Sequence, residues 1–362
     1  MRNRGTPLTA AKLAAHLFAM TFLAAVAVVL GLSFGSSGFG GFELASGLVR
    51  GSLGAAERTI LFDVRLPRVV FACCVGAALA TSGAVFQAVL RNPLADPYIL
   101  GISGGAALGG TLLMALGSGV AGAAGFGLLS GPLGALSPTV AAFVGALGTL
   151  AVIYAVDRWT PAGRTTTYVL LLTGVIVNAF ASSVIMFLKS VVSARKAQEL
   201  LFYLMGSLSV EGASPAVMGV VGIGITLAIL ALIWFARDLN ALSLGDEEAA
   251  SLGVDVERTR WWTVGIASLA VACAVAFTGL IGFVGLVVPH GIRLVTGPDH
   301  RVLLPCCAVG GAAFLTLADL LTRIAFPVFA TALPVGVVTA FIGAPLFMVF
   351  LWRNLNDDRR VA

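Results

Sequence analysis

The sequence predicts an all-α membrane protein with about ten transmembrane helices and short helices outside the membrane. Hydrophobic residues make up 59% of the 362 residues and charged residues only 11%, whereas a soluble domain carries roughly 25% charged residues. Apolar runs of about 20 residues, the length that crosses a bilayer, recur along the whole chain. These runs are continuous rather than alternating, which argues against a transmembrane β-barrel.

The spans are separated by polar or proline-containing breaks. RNPLADP (91–97) and DRWTPAGRT (157–165) end spans because proline does not fit inside a regular helix. The first apolar run follows basic residues, as in a signal peptide, but it is too long and we interpret it as a span. The ten spans are expected to end near residues 34, 90, 116, 156, 188, 235, 281, 295, 321 and 351. We find no internal repeat and no separate soluble domain, so residues 1–362 are expected to form one polytopic domain.

The longest charged island is RDLNALSLGDEEAASLGVDVERTR, at residues 237–260 between the sixth and seventh spans. Its Leu, Ala and Val residues have spacings that one face of a short helix would bring together. Gly245 and Gly253 fit turn or cap positions. The pattern predicts one or two short helices whose apolar face contacts a partner, although a solvated loop fits the pattern equally well.

The distribution of basic residues predicts the topology. Ten spans place both termini on one side, and placing them in the cytoplasm puts most of the 22 Lys and Arg residues inside. The charged island is then cytoplasmic. The net charge of +5 therefore reflects basic cytoplasmic loops, and no nucleic-acid partner is expected.

The sequence lacks the patterns of an enzyme or an ion-driven pump. No lysine follows a glycine, which excludes a phosphate-binding P-loop. The five cysteines have neither metal-ligand nor disulfide spacing, so no catalytic residue, metal or cofactor is expected. The spans are nearly free of carboxylates; Asp319 lies four residues before Arg323 and is expected to pair with it. His16 and His290 are interpreted as packed residues. The energy source is therefore expected in a separate protein.

Several long segments resemble the permease subunits of ABC importers for iron-siderophores, haem or vitamin B12, the FecCD-type family. They are VRLPR (64–68), SGAVFQAVLRNPLADPYILGISGGAALG, GDEEAASLG, TGLIGFVGLVVPHGIRLVTGPDHRVLLP and ALPVGVVTAFIGAPLFMVFL, in family order from about residue 64 to 352. The resemblance implies a homodimer in the bacterial inner membrane. It also implies two copies of a cytoplasmic ATP-binding subunit, which hydrolyse the ATP, and one periplasmic substrate-binding protein.

The resemblance assigns roles to three groups of residues. Arginines at the outer rim would dock the binding protein, or otherwise anchor span ends: Arg65, Arg68 and Arg323. Residues at the cytoplasmic gate would close the path, although the first two also fit a simple tight turn: Asn92, Leu94, Thr166 and Thr167. Residues of the charged island would form coupling helices seated in the ATPase: Gly245, Glu247, Ala249, Leu252 and Gly253.

The implied mechanism is alternating access driven by ATP hydrolysis in the partner. The second, fifth and tenth spans are expected to line the path, with candidates on the fifth by position: Asn178, Ser182, Ser183 and Met186. An iron-siderophore is the favoured cargo, with haem and cobalamin as rivals. Two other classes remain: a secondary carrier with a proton relay through His290 or Asp319, and a non-transporting scaffold, which the glycine content and proline breaks disfavour.

Overall fold

The computed structural model describes residues 10–35, 54–116, 138–159, 167–208, 215–326, 331 and 333–359. These residues are mostly helical and contain no strand, which confirms the all-α prediction. Seven helices are long and apolar enough to cross a membrane, judged by length and composition. Three shorter apolar helices bring the number to the ten that the sequence predicts.

The described helices are, in chain order, α1 (Ala10–Ser33), α2 (Ala55–Thr59), α3 (Leu66–Val89), α4 (Ile102–Ala115), α5 (Pro138–Trp159), α6 (Thr167–Val191), α7 (Ala194–Leu204), α8 (Pro215–Trp234), α9 (Ala236–Leu242), α10 (Asp246–Ser251), α11 (Val256–Thr278), α12 (Val284–Thr296), α13 (His300–Ile324) and α14 (Val335–Arg359). A π-helical turn at Ile60–Arg65 joins α2 to α3. The three short spans are α4, α12 and the apolar part of α14.

Helix α3 lies at the centre of the fold, with α1, α8, α11, α12 and α13 packed around it. Glycines allow the closest crossings. A Cβ atom added to Gly76 of α3 would lie 2.2 Å from the carbonyl oxygen of Gly311 in α13, and the reciprocal distance is also 2.2 Å. At Gly83 the added atom would lie 1.9 Å from the carbonyl oxygen of Gly285 in α12. The abundant glycines therefore serve the backbone-to-backbone packing that is typical of membrane helices.

The charged island forms two short helices, α9 and α10, as one of the sequence readings predicted. Its end does not lie at residue 260, because α11 begins at Val256. The side chain of Asp255 caps this helix by accepting a hydrogen bond from the backbone N–H of Arg258 at 3.1 Å. The seventh span therefore begins about one turn earlier than its apolar run, and its first turn is charged.

The expected single apolar face of the island does not form. Leu242 and Ala249 are buried against the membrane helices, whereas Leu244 and Leu252 are 67% and 65% exposed. The prediction was wrong because α9 and α10 are separate helices, so spacing along the sequence does not carry across the turn between them. Leu242 and Ala249 therefore pack against the rest of the chain, whereas Leu244 and Leu252 are free to contact a partner.

Candidate functional site: outer rim, gate turn and coupling segment

A shared carboxylate organises the cluster of arginines that is predicted to form the outer rim, which we call the rim cluster. The side chain of Asp319 in α13 is buried and lies between two guanidinium groups. Arg68 donates to Asp319 Oδ1 from Nη2 at 2.7 Å and from Nε at 3.0 Å. Arg323 Nε lies 3.0 Å from Asp319 Oδ2, one helical turn away. The predicted pair within the helix is confirmed, and Arg68 from α3 is an additional partner that local spacing did not indicate.

Arg65 and Arg323 also bind the backbone at the end of α1. Arg65 Nη1 donates to the carbonyl oxygens of Leu32 at 2.9 Å and Ser33 at 2.8 Å. Arg323 Nη1 donates to the carbonyl oxygens of Gly31 at 2.8 Å and of the residue after α1 at 3.1 Å. The last carbonyls of a helix lack partners within it and carry partial negative charge, so both arginines stabilise this end.

This geometry separates the three arginines that were predicted to dock a binding protein. Arg65 and Arg323 are buried, at 3% and 7% exposure, and act as anchors of the span end. The Arg68 side chain keeps 25% of its surface exposed while it binds Asp319. A docking role stays a prediction for all three, and Arg68 is the best placed to reach a partner.

The gate residues Asn92 and Leu94 lie in a tight turn between α3 and α4. The backbone N–H of Leu94 donates to Asn92 Oδ1 at 2.9 Å, which is the local turn that the asparagine side chain favours. Arg91 adopts a left-handed backbone with φ of +47°, which a non-glycine residue rarely does. Thr167 is the first residue of α6, and Thr166 lies outside the described residues. The structure thus describes three of the four predicted gate residues, and their role in a gate stays a prediction.

Leu94 also lies at the edge of a cavity of about 830 Å³. Its wall is formed by the loop between α3 and α4, the end of α7, the segment between α11 and α12, and α14. Residues of the tenth span line this cavity, and a role of that span in the transport path stays a prediction. The four candidates on the fifth span are not among the described residues that line it: Asn178, Ser182, Ser183 and Met186. Asn178 instead lies behind the wall, where its Nδ2 donates to the carbonyl oxygen of Tyr98 at 2.6 Å.

Asp96 is the charged residue among the described residues of this wall, and the sequence analysis did not single it out. Its Oδ1 accepts a hydrogen bond from the backbone N–H of Tyr98 at 2.8 Å. Burial raises the pKa of Asp96 to about 6, and the hydrogen bond from Tyr98 opposes only part of that shift. The signal in the sequence was an acidic residue held between two prolines in RNPLADP.

The coupling segment, residues 237–260, is joined to the gate turn by an ion pair. Asp246 begins α10 and pairs with Arg91, which directly precedes Asn92. The same carboxylate accepts from Arg260 Nη2 at 2.9 Å to each oxygen. The start of α10, the gate turn and the first turn of α11 therefore meet at one side chain. Arg260 is only 11% exposed, whereas Arg91 is 37% exposed.

A second attachment fixes the coupling segment to α13. Asn240 Oδ1 accepts from the backbone N–H of His300 at 2.9 Å and lies 2.7 Å from His300 Nδ1. Asn240 Nδ2 donates to Asp299 Oδ1 at 2.8 Å. The Arg301 side chain, and to a smaller extent Asn240, lower the pKa of Asp299 to about 2. α9 is therefore held to the start of α13 by a network centred on one amide.

The five predicted coupling residues divide into two groups. Glu247, Leu252 and Gly253 are exposed on α10 and the turn after it. Gly245 and Ala249 are buried, so they position the helix and do not offer a surface. The sequence reasoning missed the residues that attach this segment to the rest of the chain, Asp246 and Asn240, because their partners are distant in sequence.

A family model of known proteins matches residues 23–353, which cover nearly the whole of this helical assembly; it is described as the FecCD transport family. The chain belongs to the FecCD transport family. FecCD proteins are transport permeases, so the chain is a multi-pass membrane permease of ABC transporters, and the permease itself is not a catalyst. This membership does not favour the proton-driven carrier or the scaffold.

Relatives across the family support this placement. The cobalamin import system permease protein of Halobacterium salinarum is 44% identical over 300 residues, which cover 81% of this chain and 73% of that protein. The hemin transport system permease protein of Yersinia pestis is 38% identical over 335 residues, which cover 92% and 95%. A solved structure described as a metal-chelate type ABC transporter, in an inward-facing conformation, superposes with a TM-score of 0.76 at 31% identity. That match covers 93% of this chain and 98% of the solved one.

Proposed function

We propose that this FecCD permease imports a metal chelate across the bacterial inner membrane by alternating access. A homodimer encloses the path, with both termini of each copy in the cytoplasm. Two cytoplasmic ATP-binding subunits hydrolyse ATP, and a periplasmic substrate-binding protein delivers the cargo. The family membership and the named relatives support this assembly.

The observation that carries the mechanism is the position of Asp246. A movement imposed on α10 by an ATP-binding subunit reaches the gate turn through the Asp246–Arg91 pair and α11 through the Asp246–Arg260 pair. Glu247 and Leu252 of the same segment are exposed and can contact the ATP-binding subunit. The segment therefore offers exposed residues to the ATP-binding subunit and is attached to the gate turn through Asp246.

A double-mutant cycle on Asp246 and Arg91 tests this transmission. We expect Arg91→Gln, which removes the Asp246–Arg91 pair, to lower uptake into proteoliposomes roughly tenfold while ATP hydrolysis continues. Asp246→Asn also removes the pair with Arg260 and is expected to lower uptake at least as much. The double variant is then no worse than Asp246→Asn alone. Glu248→Gln, which changes an exposed acid on the same helix, is the matched control. Additive losses, or normal uptake with a broken pair, contradict the proposed link.

The cavity supports a large organic chelate as cargo. Its wall is mostly apolar, and the carboxylate of Asp96 disfavours a small bare anion, although a permease relative in Haemophilus influenzae is named for molybdate. Among chelates, a ferric siderophore, cobalamin and haem fit these features, with the siderophore as our first choice. Competition among these three and molybdate for ATP-driven uptake, with the cognate binding protein, tests the choice. Preferential molybdate uptake excludes the chelate class.

A further inference from the structure

A groove between α5 and α11 lies apart from the cavity beside the gate turn. It has a volume of about 580 Å³, and its mouth is formed by the last part of the coupling segment, at Asp255, Glu257 and Arg258. We call it the α5–α11 groove and define it by Tyr154 of α5 and by the residues of α11 and its cap from Asp255 to Leu269 that line it. It shares none of its described lining residues with the cavity that has Leu94 at its edge.

The groove changes character along the axis of α11. Its mouth carries Asp255, Glu257 and Arg258, and its far end is formed by Gly265 and Leu269 with one further aliphatic residue. The distance along the helix from residue 257 to residue 269 is about 18 Å. A charged mouth that leads into an apolar trough of this length has the same order as a phospholipid, whose headgroup is followed by acyl chains.

Aromatic residues occupy the middle of the groove. The rings of Tyr154 and Trp261 lie 4.1 Å apart between centroids at 55°. The neighbouring Trp262 is 55% exposed. Tyr and Trp collect at the boundary between headgroups and acyl chains, because their rings are apolar and their tips are polar. The aromatic residues in the middle of the groove therefore fit the level of a lipid's glycerol backbone.

The charges at the mouth select among headgroups. Two carboxylates and one guanidinium complement a zwitterion whose amine meets the acids and whose phosphate meets Arg258. An ethanolamine amine, like a lysine ammonium, has three N–H donors for the carboxylates, whereas a choline headgroup has none. A glycerol headgroup has no positive charge to offer.

We infer that the α5–α11 groove binds phosphatidylethanolamine, with its amine at Glu257 and Asp255, its phosphate at Arg258 and one acyl chain along Gly265 and Leu269. The proposal depends on the membrane location of α11 and not on the cargo or the coupling mechanism. It also places a lipid directly beside the segment that is proposed to receive the ATP-binding subunit.

Gly265 provides a clean way to fill the groove. A Cβ atom added there meets no protein atom within 4 Å, and Gly265 lines the groove, so a leucine at this position is expected to occupy part of the trough. Gly224 on α8 is the matched control, because it is exposed, helical and equally free of neighbours. The pair Gly265→Leu and Gly224→Leu thus makes the same change inside and outside the groove.

Tryptophan quenching by lipids with brominated acyl chains reports contact at this site. The full-length permease is reconstituted with Trp159, Trp234 and Trp352 changed to Phe, so that Trp261 and Trp262 remain as reporters. Brominated phosphatidylethanolamine, phosphatidylglycerol and phosphatidylcholine are compared at equal mole fractions. We expect phosphatidylethanolamine to quench at a mole fraction roughly tenfold lower than the other two, the ratio expected for one additional charge-assisted contact.

The variants decide the assignment. Gly265→Leu removes the preference for phosphatidylethanolamine, and Gly224→Leu keeps it. Glu257→Gln lowers quenching by phosphatidylethanolamine to the level of phosphatidylglycerol. Arg258→Gln weakens quenching by both lipids, because it removes the contact with phosphate. Equal quenching by the three lipids, or a preference that survives both Gly265→Leu and Glu257→Gln, overturns the proposal. Glu257 is an exposed residue, so its variant gives a result even if the leucine variant fails to fold.

Discussion

Arg68 binds Asp319 through two hydrogen-bonding nitrogens, although 251 positions separate the two residues. Arg323 approaches the same carboxylate and also holds the end of α1. One buried acid and its two arginines thus link the ends of α1, α3 and α13 that are predicted to face outward. Because two arginines share one carboxylate, the cluster keeps a net positive charge at the rim, where a binding protein is expected to dock.

Asp319→Asn is expected to destabilise the permease by roughly 3–5 kcal/mol, the cost of removing one partner from a buried ion pair. The amide keeps the shape of the side chain but leaves two guanidinium groups without a counter-charge. Thermal unfolding of the purified protein in detergent measures the loss. Asp63→Asn, a change at an exposed acid near the same rim, serves as the control. Equal melting temperatures for the two variants refute the structural role of Asp319.

Arg68→Gln is expected to weaken docking of the binding protein by roughly tenfold and to reduce the salt dependence of docking. Arg68 is chosen because Arg65 is buried and bonded to α1, so a change there mixes docking with folding. Surface plasmon resonance at several salt concentrations gives both quantities. Arg195→Gln, at an exposed arginine on α7, is the control. An unchanged affinity and salt slope remove Arg68 from the docking surface.

The apolar runs predicted the ten spans because burial in lipid imposes a length and a composition that are visible in one sequence. The charged island predicted one or two short helices, with a solvated loop as the alternative, but not which residues face inward. Leu242 and Leu252 have equal local signals, and only packing against the membrane helices separates them.

Contacts between residues that are distant in sequence could not be predicted either, because they also depend on tertiary packing. The spacing of Asp319 and Arg323 follows a helical turn and was found, whereas Arg68 reaches the same acid from another helix. The start of α11 was placed too late because its first turn is charged and depends on the Asp255 cap. What remained hidden was therefore set by tertiary packing and by a side-chain cap.

Asp96→Asn is expected to make stability less dependent on pH. The folded pKa of Asp96 is about 6, above its ordinary value, because burial disfavours the charged carboxylate. The native state therefore binds its proton more tightly than the unfolded chain. Stability from this residue is present below about pH 4 and is lost as the pH rises through 6, by at most about 3 kcal/mol. The asparagine has no charge to bury and removes this loss.

Melting temperatures at pH 4.5 and pH 7 test the Asp96 prediction. The difference between the two pH values is expected to shrink in Asp96→Asn and to stay unchanged in Asp63→Asn. A wild-type difference that persists in the Asp96 variant shows that another group titrates in this range, and it removes Asp96 as the cause.

Gly76→Ala is expected to force α3 and α13 apart. The added methyl group would lie 2.2 Å from the carbonyl oxygen of Gly311, which belongs to the helix backbone and cannot turn aside. Overpacking of this kind costs roughly 1–3 kcal/mol, and alanine's better helix propensity offsets at most about 1 kcal/mol of it. Gly148→Ala is the matched control, because its added methyl group meets no atom within 4 Å.

We therefore expect a lower melting temperature for Gly76→Ala, and an unchanged or slightly higher one for Gly148→Ala. The same fall in both variants would mean that these helices do not cross at the glycines.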